Sequence, residues 1–114
     1  MDTIRSLILT EEYKAYYNSL SKNVQGKFDH AMNILRNVDV PNVKFVKKLI
    51  DTEFYEMRVS VGSNEYRTIL FAIDNDNIVN STQILLLNAF LKKSKKDYKK
   101  QIDIAETILN RYTR

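Results

Sequence analysis

Apolar positions along the chain follow two periods, and the change between them predicts where helix gives way to sheet. Ile4 to Leu9 is a short apolar run, read as a strand, and it stops at Thr10-Glu11-Glu12. A threonine followed by two acids has the chemistry of a helix N-cap and first turn. Tyr13, Tyr16, Tyr17 and Leu20 then recur at helical spacing. Ser21 can cap a second helix, in which Val24, Phe28, Ala31, Leu35 and Val38 step by four, three, four and three. The two helices form an αα-hairpin that Pro41 ends. Val43, Phe45 and Val46, set among lysines, lead into a turn around Asp51-Thr52-Glu53.

From Phe54 the period becomes two. Tyr55, Met57, Val59 and Val61 share one face, and Phe54, Glu56, Arg58 and Ser60 share the other. Gly62-Ser63-Asn64-Glu65 supplies a turn before a second strand, Tyr66 to Ile73, and Asp74-Asn75-Asp76-Asn77 supplies another. Ile84 to Leu91 is almost continuously apolar, as in a strand covered on both faces. Asp97 is a plausible N-cap for a last amphipathic helix along Tyr98, Ile102, Ala105, Leu109 and Tyr112. The order β-α-α-β-β-β-α predicts one α+β domain over residues 1–114. An N-terminal strand and helix hairpin would pack on a small antiparallel β-sheet, with a C-terminal helix after it.

Composition supports a packed domain: 44% hydrophobic residues with two glycines and one proline leave little room for a linker. The absence of cysteine removes disulfides, thiolate metal sites and a cysteine nucleophile. The opening Met1-Asp2-Thr3-Ile4-Arg5-Ser6 carries an acid where a signal peptide carries positive charge, and no apolar run of membrane-spanning length follows, so a cytoplasmic, non-membrane protein is expected. The net charge of +4 is mild, but its distribution is not: Lys92 to Lys100 holds six lysines against the single Asp97. Such a segment predicts a polyanionic partner, RNA in the first place.

Standard catalytic sets are missing from the sequence: no glycine-rich phosphate loop, no metal-ligand spacing, and one histidine, His30. His30 lies off the apolar stripe of its helix and reads as a surface residue. The Asp74 to Asn77 run lacks the glycine and glutamate of a calcium loop and reads as a turn. More informative are Arg58 and Arg67 on successive strands, with Lys92, Lys93, Lys95 and Lys96 leaving the next. A meander would gather these into one basic concavity. By alternation Arg67 shares a face with Ile69, Phe71 and Ile73, where a guanidinium needs a bound anion or a carboxylate such as Glu56.

Three runs together resemble a known family. These are Phe54-Tyr55-Glu56-Met57-Arg58-Val59, Glu65-Tyr66-Arg67-Thr68-Ile69-Leu70-Phe71 and Leu87-Asn88-Ala89-Phe90-Leu91-Lys92-Lys93-Ser94. In this order, between a helix hairpin and a C-terminal helix, they are similar to the phage-derived HigB branch of the RelE/ParE toxin superfamily. The resemblance implies a RelE-like fold and the toxin of a toxin-antitoxin pair. That toxin would cut messenger RNA on the ribosome and be neutralised by a cognate antitoxin, often a helix-turn-helix protein. The implied chemistry uses the RNA 2′-OH as nucleophile and needs no metal or cofactor. Carried over, Arg67 would bind the scissile phosphate with support from Arg58. Lys92 and Lys93 would stabilise the transition state or transfer protons. Lys47, Lys48, Lys95 and Lys96 would hold RNA backbone. Tyr98 stands where relatives often carry proline, and its ring would either stack on a base or pack under the helix. No histidine lies near the C-terminus, which leaves the general base unassigned. Two alternatives stay open on the same fold: a ParE-like toxin that inhibits DNA gyrase, and a catalytically silent RNA- or protein-binding module.

Overall fold

The computed structural model describes residues 3–112; Met1 and Asp2, part of the N-terminal stretch read above, lie outside the described residues. Strand β1 (Ser6–Leu9) leads into helices α1 (Glu11–Asn18) and α2 (Lys22–Asn37). Strands β2 (Val46–Lys48), β3 (Tyr55–Val61), β4 (Asn64–Ala72) and β5 (Gln83–Leu91) follow, with a short 3-10 helix (Ile78–Asn80) before β5 and helix α3 (Lys95–Tyr112) after it. The strands form one sheet in the order β1-β5-β4-β3-β2. The α+β class and the order of helices are as expected. The sheet is mixed rather than antiparallel, because β1 runs parallel to β5. A parallel pair needs a long crossover, and here everything from α1 to β4 supplies it.

Local chemistry accounts for most boundaries. The Thr10 side chain accepts a hydrogen bond from the Tyr13 N–H at 3.0 Å, and Ser21 accepts from the Val24 N–H at 3.4 Å, so both predicted caps start helices. Val38 is not part of the buried stripe: α2 ends before it, and it sits 40% exposed at the C-cap. The run at Phe45 and Val46 does not pass straight into a turn but gives β2, an edge strand paired with β3. The β3–β4 turn is tighter than predicted, since Val61 pairs with Asn64 and only Gly62 and Ser63 lie between them. Gly62 adopts φ 61° there, a conformation natural to glycine. Asp74 does not close a simple hairpin. Its carboxylate accepts from the Ser81 hydroxyl and from the N–H groups of Thr82 and Gln83, which ties the 3-10 segment to the start of β5. These bonds hold its pKa below the usual carboxylate range.

The sheet carries a core on each face. On one side Met57, Val59, Leu70, Ile84 and Leu86 meet Tyr13, Phe28, Ala31 and Leu35 of the hairpin. On the other, Phe54, Ile69, Leu85, Leu87 and Phe90 meet Ala105, Ile108 and Leu109 of α3. Burial on both faces explains the continuous apolar reading of β5. A register shift opposite Thr68 to Leu70 inserts one extra residue in β5, where Thr68 pairs with Ala89 but Leu70 with Leu86. Leu87 and Asn88 therefore both reach the α3 side, and the Asn88 amide donates to Gln101 Oε1 at 2.9 Å.

Arg5 fastens the crossover. It is 2% exposed, and its guanidinium donates to the carbonyls of Leu35, Val38 and Asp39 at the end of α2 and to those of Ile78 and Val79. The otherwise unsatisfied carbonyls of a helix C-terminus favour a cation at that place. Arg5→Met should lower unfolding free energy by about 3–5 kcal/mol, by analogy with breaking a buried charged network. Urea unfolding monitored by circular dichroism measures this loss.

Candidate nucleic-acid cleft

Alternation along β3 and β4 sends Glu56, Arg58 and Arg67 to the α3 side of the sheet. Arg58 and Arg67 are direct cross-strand partners, so two guanidinium groups face one another across the pair. Like charges so placed repel. Glu56 lies two residues before Arg58 on the same face and relieves the repulsion: its Oε1 is 3.5 Å from Arg58 Nε and its Oε2 is 3.8 Å from Arg67 Nε. Tyr98, in the second turn of α3, closes the network by donating to Glu56 Oε2 at 2.7 Å and accepting from Arg67 Nε at 3.0 Å. Arg67 also donates to the Tyr66 carbonyl at 2.9 Å and to Glu65 Oε1 at 3.4 Å. The carboxylate alternative raised for Arg67 is thus realised in this structure. Its side chain is 2% exposed and turned to protein groups, whereas that of Arg58 is 30% exposed and reaches solvent.

Above this network lies an open cleft of about 580 Å³. Lys47 and Lys48 come from β2, Glu56 and Arg58 from β3, Lys92 from the end of β5, and Lys95 and Tyr98 from the start of α3. Leu49, Ile50 and Ile102 form its apolar wall. Lys47 is present because β2 pairs it with Glu56, which directs both side chains to the same side. Lys48 instead pairs with Tyr55 and holds its ammonium 5.5 Å from that ring. Of the residues singled out in the sequence, Lys47, Lys48, Arg58, Lys92, Lys95 and Tyr98 are brought together here. Lys93 and Lys96 are exposed but do not line the cleft, and Arg67 lies beneath it.

Lysines at the start of α3 oppose the helix dipole, which favours anions at that end. Asp97 answers them from within the first turn rather than as the N-cap. Its Oδ2 accepts from the N–H groups of Lys93 and Ser94, both at 2.9 Å, and these bonds keep its pKa below the ordinary carboxylate value. The Tyr98 ring meets Phe90 edge-on with centroids 5.6 Å apart, and the Lys92 ammonium stands 5.7 Å from its centre. Packing under the helix accounts for this placement. Burial, then the bond to Glu56, pushes the Tyr98 pKa up to about 12, so at neutral pH the phenol is a proton donor and not a base.

Glu56 has a larger place here than its sequence reading as a partner for Arg67. Among the described residues it is the one carboxylate lining the cleft, and its side chain is 5% exposed beneath five cations. The signal for it was the alternation that put Glu56 and Arg58 on one face; the pairing with Lys47 had no signal, since β2 was not expected.

Glu56→Ala would leave Arg67 buried with only the exposed Glu65 as counter-charge and should cost about 3 kcal/mol of stability. Tyr98→Phe should cost about 1 kcal/mol through lost hydrogen bonds. In a double-mutant cycle by urea unfolding the two losses should fall short of additive, because both remove the same bond.

A family profile for phage derived Gp49-like proteins matches residues 15–110, a span from α1 through α3 that includes every residue of the cleft. No curated protein matches the chain. With a mixed five-stranded sheet, an N-terminal helix hairpin and a C-terminal helix in the order of a RelE-like fold, the chain belongs to the phage-derived Gp49-like family, a RelE/HigB-like toxin-type family.

Proposed function

We propose that this protein is the toxin of a toxin-antitoxin pair, of the phage-derived HigB branch, and that it cleaves messenger RNA in the cleft between β2 and α3. The observation that carries this reading is the convergence of Lys47, Lys48, Arg58, Lys92 and Lys95 around one buried carboxylate, Glu56. RNA contains its own nucleophile, so the protein must orient the 2′-OH, neutralise charge on the phosphoryl oxygens and move protons. In the proposed step the 2′-oxygen bonds to phosphorus and gives its proton to Glu56. The bond from phosphorus to the 5′-oxygen breaks, and Lys92 protonates that oxygen, leaving a 2′,3′-cyclic phosphate and a 5′-OH. Arg58, whose guanidinium reaches solvent, holds the phosphoryl oxygens. Arg67 positions Glu56 and Tyr98 and joins the anion only if the network opens. Lys93 and Lys96, outside the cleft wall, suit contacts to RNA backbone or to the ribosome. Such contacts supply affinity without base specificity. The partner in this reading is a cognate antitoxin of the helix-turn-helix kind.

The engagement of Arg67 by Tyr98, Tyr66 and Glu65, and of Glu56 by Tyr98 and both arginines, favours a second reading, a catalytically silent RNA-binding module on the same cleft. Incubating the protein with message, in the presence and absence of ribosomes, separates the two. Cleavage should yield cyclic phosphate ends, and Lys92→Ala and Arg58→Ala should each slow it by about 10²–10³-fold, the usual loss for one charge-stabilising group. Growth arrest with intact message and inhibited DNA supercoiling would instead place the protein with the gyrase inhibitors.

A further inference from the structure

A second basic cleft, of about 290 Å³, lies on the opposite side of Arg58, between α2 and the edge of β3. Lys27 and His30 line it from α2, Lys44 and Phe45 from the segment before β2, and Arg58 and Ser60 from β3. Among the described residues no carboxylate lines it, so Lys27 and Lys44 meet no acid within it, while Arg58 has its counter-charge, Glu56, in the first cleft. At its wall stands a half-buried aromatic ring with polar flanks: the Phe45 ring has the Lys44 ammonium 5.8 Å from its centre and meets the exposed His30 ring edge-on at 5.7 Å. Beyond the end of β2, β3 becomes an edge, and Arg58 bends around it with Nη1 3.5 Å from the Val43 carbonyl. The same guanidinium therefore borders both clefts.

We propose that this second cleft is a nucleotide-binding subsite for single-stranded RNA, continuous with the first through Arg58. A single strand repeats a phosphate and a base, and a groove that binds it without reading sequence pairs cations with an aromatic platform. Lys27, Lys44 and Arg58 take the phosphates, and Phe45 with His30 supplies the platform for one base. The two clefts then hold neighbouring stretches of one strand, with Arg58 at the phosphate between them. The inference rests on the reading that the protein binds RNA, but it does not require cleavage.

The test is fluorescence anisotropy with a 2′-O-methylated single-stranded oligonucleotide, which lacks the nucleophile, across a range of salt concentrations. Cleavage of the unmodified strand by the wild-type protein is measured in parallel. The double variant K27A/K44A should weaken binding about tenfold or more, and the slope of log K against log salt should fall by about 1.4, the loss of two phosphate contacts to a single strand. Phe45→Leu should weaken binding about fivefold or more with little change in that slope, because stacking is not ionic. K14A/R36A, which removes the same charge from positions lining neither cleft, should bind as the wild type does. Wild-type cleavage with unchanged affinity and slope in K27A/K44A overturns the subsite and leaves the nuclease standing. Loss of binding in K27A/K44A with no cleavage by the wild type supports the subsite and refutes the nuclease. Equal losses in K27A/K44A and K14A/R36A also overturn it, since they mean diffuse charge rather than a site.

Discussion

The arrangement on the α3 side of the sheet depends on one electrostatic constraint: two arginines facing each other across β3 and β4. Without a counter-charge, Arg58 and Arg67 would destabilise the strand pair that carries them. Glu56 meets both, and Tyr98 ties that carboxylate to the first turns of α3. The network fixes where α3 begins as well as how the strands pair. A carboxylate and a guanidinium are held with almost no exposure beside a half-buried phenol, which is tolerable only because each finds partners among the others.

That network divides the cations into two kinds. Arg67 is bound into the protein, while Lys47, Lys48, Arg58, Lys92 and Lys95 border open space. Repulsion among the latter is unfavourable in the free protein, and lysines at the start of α3 add a conflict with the helix dipole. Asp97 relieves it in part by binding the N–H groups of Lys93 and Ser94. A surface that concentrates like charge against local stability is explained if a polyanion is the partner, which is why the cleft matters more to the functional reading than the total charge.

The rest of the fold supplies a platform for this edge. Arg5 binds the carbonyls at the end of α2 and those of the 3-10 segment, and so joins the helix hairpin to the loop that leads into β5. The extra residue in β5 turns both Leu87 and Asn88 toward α3, and the Asn88 bonds to Gln101 help to place that helix across the strands. The position of Lys92 follows from the strand end, where its N–H donates to the Glu65 carbonyl at 2.8 Å.

Sequence alone determined what depends on short-range chemistry. Helix caps at Thr10 and Ser21, the stripe of α2, the two faces of β3 and the double burial of β5 were legible because each reflects spacing or a side-chain bond within a few residues. The grouping of Arg58 with the lysines after β5 was legible for the same reason, through alternation and the meander. Tertiary structure alone decided the parallel pairing of β1 with β5, the strand at Val46–Lys48 and the buried role of Arg5, since all three depend on partners far away in the chain. It also settled which cations reach solvent. Arg58 and Arg67 look alike in the sequence, and only the positions of Glu56, Glu65 and Tyr98 around them make one a buried strut and leave the other open to an anion.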